Sequence, residues 1–573
     1  MLEKLELYID NLRQYFKENT SALYYFISGF AVLGMMFFIF SNTLYSNNNN
    51  MVSGKVIDNG LIQYNHDFSF SIFANKNISG HRINDVETCF REAVLNDKDY
   101  IGMSNDSAVS YNLGQLKSGD QIDFTLFIYI ENNNNIKNME ELEEKIENYK
   151  KIDVNKEYTQ AKKYWTNYLE KHDGLNLREN SNKLVNDRVK EIYKRTILLF
   201  PLLQNEETGG VSATVEIDEN REKSGRYSYC WPRDAVFIAK AFDYLNMKKE
   251  TDKFYENFCK KTQSKNGMWE QRFYTDGTLA PCWGYQIDET ASVIYGVYEH
   301  YKNTKELKFL QSNMKMCENA LHFLFKYLEN IFGEKEEKDL VKKEIEEQVI
   351  KEGRQKDQIY KHVSYDLWEM NEGVHLYSLA SIYGAFNAMI GMYEEIKPKY
   401  ENNRLKLEKI AKDIQKIKDE IENIRKYVEN NLYDENTKVL RRNAEDSKMD
   451  ISTIGAVYPF ELFGADEKKV LNTVEKINMT LRTYTGGYLR FEQDSYMGGK
   501  YPWPVTTLWM AMYYLKAGNK KMAQECFNFV VNSTSSLGFI SEQVDNNTMK
   551  PSWAIGLGWS HAMFIITLAE LLK

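Results

Sequence analysis

Helices with an apolar stripe, each preceded by a loop of polar and aromatic residues, recur along the second half of the chain. Their apolar residues are spaced three and four positions apart, which is the period of one helix face. The clearest of these helices follow Asp234, Asp288, Pro504 and Ser560, and another runs through 376–393. Because each helix must bury its stripe against another helix, we predict a mainly α protein with an α/α barrel over 188–573, whose loops converge at one mouth.

The chain before this barrel changes from a strand pattern to a helical pattern. Residues 67–75 alternate apolar and polar side chains, and residues 121–130 are rich in β-branched and aromatic side chains. We predict a partial β-sandwich domain over 52–138, followed by a helical linker over 139–187. The sandwich is short for a complete one, and a partial sandwich leaves open sheet edges.

An apolar stretch without charged residues, 22–40, lies close to the N-terminus. A helix of about 20 such residues crosses the hydrocarbon core of a membrane. No small-residue cleavage pattern follows it, so it is not typical of a signal peptide. We predict an N-terminal tail over 1–20 and a hydrophobic transmembrane helix over 21–41, with the barrel outside the cell. The alternatives are a buried helix in a cytoplasmic protein and an artefact of a shortened reading frame.

The composition excludes several classes of partner. Lys and Arg number 73 and Asp and Glu number 82, which gives a net charge of −9 and argues against a nucleic-acid partner. The six Cys residues form no CxxC pair and the eight His residues no HExxH pattern, so we expect neither a metal site nor a disulfide framework. The aromatic share of 14% is typical of sugar-binding clefts and also of an AT-rich genome. Nothing in the sequence specifies the oligomeric state.

Three stretches place carboxylates among aromatic residues. The first, YSYCWPRDA over 227–235, sets Arg233 and Asp234 beside Trp231. A carboxylate accepts hydrogen bonds from sugar hydroxyls, and a guanidinium can hold that carboxylate in place. Asp234 is also a suitable cap for the helix that begins here.

The second stretch is SYDLWEMNEGVH over 364–375, in which Glu369 follows Trp368 at the predicted start of a long amphipathic helix. An apolar neighbour disfavours the charged carboxylate and raises its pKa, as a general acid requires. The alternative is that Glu369 and Glu372 are first-turn glutamates that stabilise the helix dipole.

The third stretch is FISEQVDNNTMKPSWAIGLGWSHA over 539–562. Glu542 is predicted to lie in a loop, and Trp553 and Trp559 flank a glycine-rich turn before the last helix. Hydrolysis of a glycosidic bond needs one carboxylic acid and one carboxylate, so Glu542 is the candidate partner of Glu369. The alternative is an ordinary surface glutamate.

The order and spacing of these motifs resemble glycoside hydrolase family 15, the glucoamylase family. The likeness extends from Asp67 to the C-terminus and is strongest from Gly209 onward. It implies a β-sandwich before an (α/α)6 barrel. It also implies hydrolysis of α-glucans or oligosaccharides from the non-reducing end, with inversion and release of β-D-glucose. The resemblance implies no cofactor.

The resemblance assigns roles to individual residues. Glu369 matches the general acid and Glu542 the general base. The positions that hold the terminal sugar are matched by Tyr227, Trp231, Arg233 and Asp234. Positions near the cleft are matched by Trp283, Gln286 and Asp288, and Trp368 matches the tryptophan that flanks the acid. The acceptor-side positions are matched by Arg490, Asp494 and Trp503. Inversion requires room for a water molecule, so we expect the carboxyl groups to lie about 6.5–9.5 Å apart.

One position departs from the starch-type members of the family. They often carry a second Glu directly after the acid, where this chain has Met370. Linkage and chain-length preference therefore stay open, with α-1,6 glucan, isomaltose and trehalose as alternative substrates. A disaccharide phosphorylase and a non-catalytic, membrane-tethered sugar-binding protein are the other classes. The Ser-Glu-Gln motif around Glu542 argues against a phosphorylase, which needs only the acid.

Overall fold

The computed structural model describes residues 35–41, 52–83, 86, 95, 100–103, 106–177, 180, 182–215, 227–282, 284, 286–333 and 364–573. They divide between Tyr164 and Trp165 into two compact units. This division falls inside the predicted linker. The first unit contains the main β-sheets, and the second contains most of the helices.

Two antiparallel sheets build the first unit. Its strands are β1 (Met35–Ser41), β2 (Ser53–Ile57), β3 (Gly60–Tyr64), β4 (Phe68–Ala74), β5 (Gly80–Ile83), β6 (Ile101–Met103), β7 (Asp106–Asn112) and β8 (Leu126–Asn132), followed by helix α1 (Met139–Tyr149). Helix α2 (Val154–Lys171) begins in the first unit and ends in the second. One sheet has the order β1–β7–β5, and the other has the order β6–β2–β3–β4–β8.

The five-stranded sheet is buried on both faces. On one face Leu61 shares a core with Val109 of β7, so the two sheets pack as a sandwich. On the other face Ile62 packs with Leu142 of α1. Successive residues of β3 therefore enter different cores, as the two-residue period of a strand requires.

The N-terminal apolar stretch contains a β-strand where a transmembrane helix was predicted. β1 pairs with β7, from Met35 opposite Asn112 to Ser41 opposite Asp106. An uninterrupted apolar run is compatible with a buried strand as well as with a helix, and here its backbone bonds to a sheet. Among the described helices, none combines the length and apolarity needed to cross a membrane. The predicted anchor over 21–41, and with it the single-pass membrane location, is therefore corrected; residues 1–34 lie outside the described part.

The helices of the second unit alternate between an outer and an inner layer. In chain order they are α3 (Asp187–Leu203), α4 (Pro232–Tyr244), α5 (Lys248–Lys253, continued by a π-helical turn at Phe254–Cys259), α6 (Ile287–Thr304), α7 (Leu307–Phe332), α8 (Leu376–Ile396), α9 (Arg404–Asn431), α10 (Lys468–Thr480), α11 (Pro504–Lys516), α12 (Lys520–Asn532) and α13 (Gly558–Leu571). A 3₁₀ helix, Ile451–Ala456, lies between α9 and α10.

The inner layer closes into a ring. α4, α6, α8, the 3₁₀ helix, α11 and α13 pack each on the next in this order, and α13 packs back on α4. These inner segments are apolar nearly all round; residues 558–569 of α13, for example, are all buried. The outer helices are amphipathic, and α9 buries Ile410, Ile417 and Val428 while its charged face is exposed. Six inner and six outer segments in the described residues form the predicted (α/α)6 barrel.

Short two-stranded ribbons stiffen the loops of the barrel. They pair β9 (Tyr229–Cys230) with β10 (Phe273–Tyr274), β11 (Ser364–Tyr365) with β12 (Glu372–Gly373), β13 (Tyr433–Asp434) with β14 (Val439–Leu440) and β15 (Ser541–Val544) with β16 (Pro551–Ile555). Hydrogen bonds join the loops that precede the inner segments, so these segments begin at one end of the ring. We call this end the mouth; it comprises the first turns of the inner segments and the described residues of 227–231, 263–286, 364–375, 441–450, 481–503 and 533–557.

Candidate active site

Glu369 lies in the tight turn of the β11–β12 hairpin, whereas a helix start was predicted. The following helix, α8, begins only at Leu376. The carboxylate of Asp366 closes the turn: it accepts the backbone N–H of Met370 and the side-chain N–H of Asn371, both at 2.8 Å. In this turn Glu369 has a φ of 63°, a left-handed conformation that is strained for a residue with a side chain. The alternative of a first-turn helical glutamate is therefore excluded.

The carboxyl group of Glu369 is held by an aromatic donor. Trp231 Nε1 donates to Glu369 Oε1 at 2.5 Å. Burial raises the pKa of Glu369, and this outweighs the positive charges of Arg272 and Arg233 and the hydrogen bond, which lower it. A carboxyl with a raised pKa keeps its proton at a pH where an exposed glutamate has lost it, as a general acid must.

Glu542 lies in strand β15, where a loop was predicted, and is only 4% exposed. Tyr227 Oη donates to Glu542 Oε1 at 2.8 Å, whereas Oε2 is buried without a hydrogen-bond partner among the described residues. Burial raises the pKa of Glu542 to about 8, although the Tyr227 hydrogen bond and the charge of Arg490 lower it. This burial excludes an ordinary surface glutamate.

Tyr227 and Trp231 connect the two carboxyl groups. The centroids of their rings lie 5.9 Å apart. Since Tyr227 bonds to Glu542 and Trp231 bonds to Glu369, a continuous series of contacts runs from one carboxyl to the other. The structure thus brings together two acids that are far apart in the sequence, one at each end of an aromatic pair.

Arg233 lies among three buried carboxylates. Its Nε donates to Asp234 Oδ1 at 3.0 Å, and its Nη1 donates to Asp288 Oδ2 at 3.0 Å. Its backbone N–H donates to Glu289 Oε2 at 2.6 Å. Burial raises the pKa of all three acids, although Arg233 lowers them. One guanidinium does not balance three buried carboxylates, so the excess negative charge favours protonation within this cluster.

The predicted acceptor-side residues meet next to the Glu369 turn. Arg490 and Asp494 form a bidentate ion pair, with Nε–Oδ2 at 2.8 Å and Nη2–Oδ1 at 2.7 Å. The guanidinium carbon of Arg490 lies 4.6 Å from the ring centroid of Trp503 and 5.4 Å from that of Trp368. Its Nη2 also lies 3.3 Å from Met370 Sδ.

Two further predicted residues hold the β11–β12 turn in place. Gln286 is fully buried, and its Nε2 donates to the backbone oxygen of Asp366 at 2.7 Å. Trp368 Nε1 donates to the carboxylate of Asp450 at 3.1 Å. Trp283 lies outside the described residues. The contacts of these side chains with a substrate stay predictions.

Three residues of the mouth were assigned no role from the sequence: Glu289, Arg272 and Tyr496. Glu289 lies in the first turn of α6, directly after a predicted site acid, and that position is a usable signal. The guanidinium carbon of Arg272 lies 5.4 Å from the ring centroid of Trp231, and Tyr496 Oη lies 2.8 Å from Tyr227 Oη. Both contacts depend on long-range packing, which motif spacing does not reveal.

Several known proteins are similar in sequence to this chain. A sequence model described as Glycosyl hydrolases family 15 matches residues 187–569. An uncharacterised glycosyl hydrolase of Methanocaldococcus jannaschii is 25% identical over 564 residues, which cover 94% of this chain and 82% of that protein. Trehalase 1 of Sulfolobus acidocaldarius is 28% identical over 102 residues, 18% of each chain.

Solved structures share the fold. A bacterial glucoamylase complexed with acarbose matches with a TM-score of 0.70 and 18% identity, covering 93% of this chain and 76% of that one. A glucoamylase from Saccharomycopsis fibuligera matches with a TM-score of 0.53 and 13% identity, covering 69% of this chain and 96% of that one. These likenesses confirm the barrel fold. Because the family match covers well over half of the chain and includes both candidate acids, the protein belongs to glycosyl hydrolase family 15 and is a glycoside hydrolase.

Proposed function

We propose that this enzyme removes single glucose units from the non-reducing ends of α-glucans or oligosaccharides, inverts the anomeric carbon and releases β-D-glucose. Glu369 is the general acid and Glu542 the general base. One observation supports this proposal: two carboxyl groups, each with a raised pKa, lie at opposite ends of the Tyr227–Trp231 pair. An inverting glycosidase uses such a pair, with room between the two groups for a water molecule.

In the proposed reaction, Glu369 passes its proton to the bridging oxygen as the glycosidic bond breaks. Water attacks the anomeric carbon from the opposite face, and Glu542 takes a proton from that water. The carboxyl groups are then expected to lie about 6.5–9.5 Å apart. The productive enzyme carries a proton on Glu369 and none on Glu542. Burial opposes the charge on Glu542, whereas Arg490 and Tyr227 favour it.

The remaining residues of the mouth orient the substrate in this proposal. Arg233 and Asp234 hold the terminal glucose. Asp288 Oδ1 is buried and has no partner in the described part of the chain, which leaves an acceptor for a hydroxyl or a bridging water. Arg490 and Trp503 face the acceptor sugar. Fixing both sugars relative to the carboxyl groups lowers the entropic part of the barrier.

Trehalose is the second candidate substrate. Two proteins named trehalases, both from Sulfolobus acidocaldarius, are similar to part of this chain. Met370 follows the proposed acid and is 39% exposed, with its sulfur beside Arg490. The acceptor side therefore presents a thioether at this position, where starch-type members of the family often have a carboxylate. The same substitution keeps α-1,6 glucan and isomaltose as alternatives.

The test is to incubate the full chain separately with maltose, maltooligosaccharides, isomaltose, dextran and trehalose. Proton NMR of the anomeric signals identifies the first product. We expect β-glucose to appear first and to be absent with Glu369→Gln and with Glu542→Gln. The substrate with the highest kcat/KM then identifies the linkage.

Three outcomes would contradict the proposal. α-Glucose as the first monosaccharide from maltooligosaccharides would mean retention, because only the cleaved terminal unit is then released as glucose. Turnover that requires phosphate would identify a phosphorylase. Binding of oligosaccharides by the wild-type protein, without any release of glucose, would identify a sugar-binding protein.

A further inference from the structure

A series of hydrogen bonds ends on the carboxyl group of Glu542. Trp553 Nε1 lies 2.9 Å from Tyr496 Oη, and Tyr496 Oη lies 2.8 Å from Tyr227 Oη. Tyr227 Oη in turn lies 2.8 Å from Glu542 Oε1. We call Trp553, Tyr496 and Tyr227 the relay; its members come from three different loops of the mouth.

The chemistry of Trp553 sets the direction of the relay. An indole N–H donates a hydrogen bond and accepts none, so Tyr496 Oη must accept from Trp553. Tyr496 then donates its own hydroxyl proton to Tyr227, and Tyr227 donates to Glu542 Oε1. Each O–H group is polarised by the bond that it accepts, which strengthens the final bond to the carboxylate.

The opposite direction leaves a proton without an acceptor. If Glu542 Oε1 carried a proton and donated it to Tyr227, then Tyr227 would donate to Tyr496. Tyr496 Oη would accept two hydrogen bonds, and no described residue would accept the proton of its own hydroxyl. Tyr496 is half-buried, so this proton would need a water molecule or would stay unpaired at a cost in free energy. The arrangement therefore disfavours a proton on Oε1.

We propose, building on the function proposed above, that the relay reserves Oε1 of Glu542 as an acceptor and leaves Oε2 to take the proton of the attacking water. Oε2 is buried and makes no hydrogen bond of normal geometry to a described residue, although the neighbouring Gln543 side chain favours the charged carboxylate. In this step the water oxygen bonds to the anomeric carbon, and its proton passes to Oε2. The bond to the leaving oxygen breaks as Glu369 protonates that oxygen. Tyr496 and Trp553 are positioning residues, because they act through Tyr227.

Other charged groups also face Glu542. Arg490 favours the carboxylate and Asp234 opposes it, while burial is the largest influence and raises the pKa to about 8. The relay acts against burial, because it donates a polarised hydrogen bond to the charged form. Loss of the relay therefore raises the pKa of Glu542 further and reduces its ionised fraction at acid pH.

Tyr496→Phe and Trp553→Phe each remove one link and keep an aromatic ring. Tyr484→Phe is the matched control. The Tyr484 hydroxyl donates to the backbone oxygen of Asn546, in the β15–β16 hairpin that also carries Glu542 and Trp553, but it lies outside the relay. On the acid side of the pH profile kcat/KM is proportional to the ionised fraction of Glu542. We expect both relay variants to lose about tenfold in kcat/KM there, the factor for one pKa unit, and to approach wild type at alkaline pH. KM and the melting temperature stay near wild type.

A second readout does not depend on turnover. Carbon-13 NMR follows the glutamate carboxyl signals with pH, and the signal missing in Glu542→Gln identifies Glu542. We expect a higher pKa for this signal in Tyr496→Phe and Trp553→Phe than in wild type or Tyr484→Phe. If one relay variant does not fold, the other carries the test.

An unchanged pKa for Glu542 in both relay variants, with a loss of rate that is equal at every pH, would overturn the relay. A wild-type enzyme that releases no glucose, but whose Glu542 shows the shift in the relay variants, would overturn the proposed function and leave the relay intact. The two failures are therefore distinguishable.

Discussion

The two ends of the inner barrel helices differ in whether their buried charges are balanced. At the mouth, one guanidinium faces three buried carboxylates. Toward the C-terminal ends of α4 and α6, each buried charge has a matching partner. His300 Nδ1 lies 2.7 Å from Asp243, and its Nε2 lies 3.0 Å from Asp252. Asp252 also pairs with Lys248 Nζ at 2.5 Å, so two cations face these two carboxylates. Lys240 Nζ lies 2.8 Å from Glu299.

The contrast shows that charge balance is a property of each site, since the same two helices carry both arrangements. An excess of buried carboxylates raises their pKa values and reduces stability, which suits acid–base chemistry. A balanced set contributes to stability and has no acid available for catalysis. We therefore expect substitutions at the mouth to affect mainly activity, and substitutions at the opposite end to affect mainly stability.

The largest effect is expected from Glu369→Gln and Glu542→Gln. Each should lower kcat by about 10²–10⁴-fold, the usual contribution of one acid or base. The melting temperature should stay equal to that of wild type or rise, because glutamine has nearly the same shape as glutamate and carries no charge that burial would oppose. Steady-state kinetics and calorimetry on the same preparations measure both. A clear fall in melting temperature in either variant would break the contrast between the two ends.

An intermediate effect is expected from His300→Gln at the opposite end. Burial lowers the pKa of His300, but Asp243 and Asp252 outweigh it and raise the pKa to about 9. A raised pKa means that the stabilisation is complete below the unfolded value of about 6.5 and is lost as pH rises through the folded value. We expect the wild-type free energy of unfolding to fall by about 3 kcal/mol over this interval, measured by denaturant titration.

His300→Gln should lack this pH dependence and should keep the wild-type kcat at temperatures where it is folded. A difference between the two proteins that does not change with pH would indicate a neutral imidazole. A reduced kcat in the folded variant would mean that the opposite end also serves catalysis.

The smallest effect is expected from Glu289→Gln in the mouth. Burial raises the pKa of Glu289 well above its usual value, and the uncharged amide of glutamine resembles the neutral form that burial favours. The glutamine oxygen can still accept the backbone N–H of Arg233, although the contact of Oε1 with Arg233 Nη1 at 3.2 Å is lost, so the free energy of unfolding should fall by no more than about 1 kcal/mol. Glu289→Ala, the matched comparison, leaves that N–H unpaired and should lose about 1–3 kcal/mol. Equal losses in both variants would mean that Glu289 is charged.

The inner helices were predictable because long apolar runs such as Gly558–Leu571 exceed the length of a strand. The position of Glu369 was not, because side-chain hydrogen bonds from Asp366 close a turn ahead of the helix. The spacing of apolar residues, from which the start of a helix is predicted, contains no information on such side-chain hydrogen bonds. The prediction therefore named the residue correctly as part of the mouth but placed it in the wrong element.

The N-terminal strand illustrates a second reason for failure. Seven apolar and small residues in Met35–Ser41 do not indicate by themselves whether they form a helix or a strand. Their partner, β7, lies more than sixty residues further along the chain, and only that pairing decides the structure. Tyr496 escaped prediction for the same reason, because its partners in the mouth come from other loops.

Closure of the ring has a consequence for how the enzyme acquires its site. α13 packs on α3 and α4, so the final contact joins the two extremes of the barrel sequence. Contacts between such distant segments form late in folding, because a long loop must close first. The hairpin that carries Glu542 leads directly into α13, whereas its partner Tyr227 leads into α4. We therefore expect the proposed pair of carboxyl groups to come together only when the barrel closes.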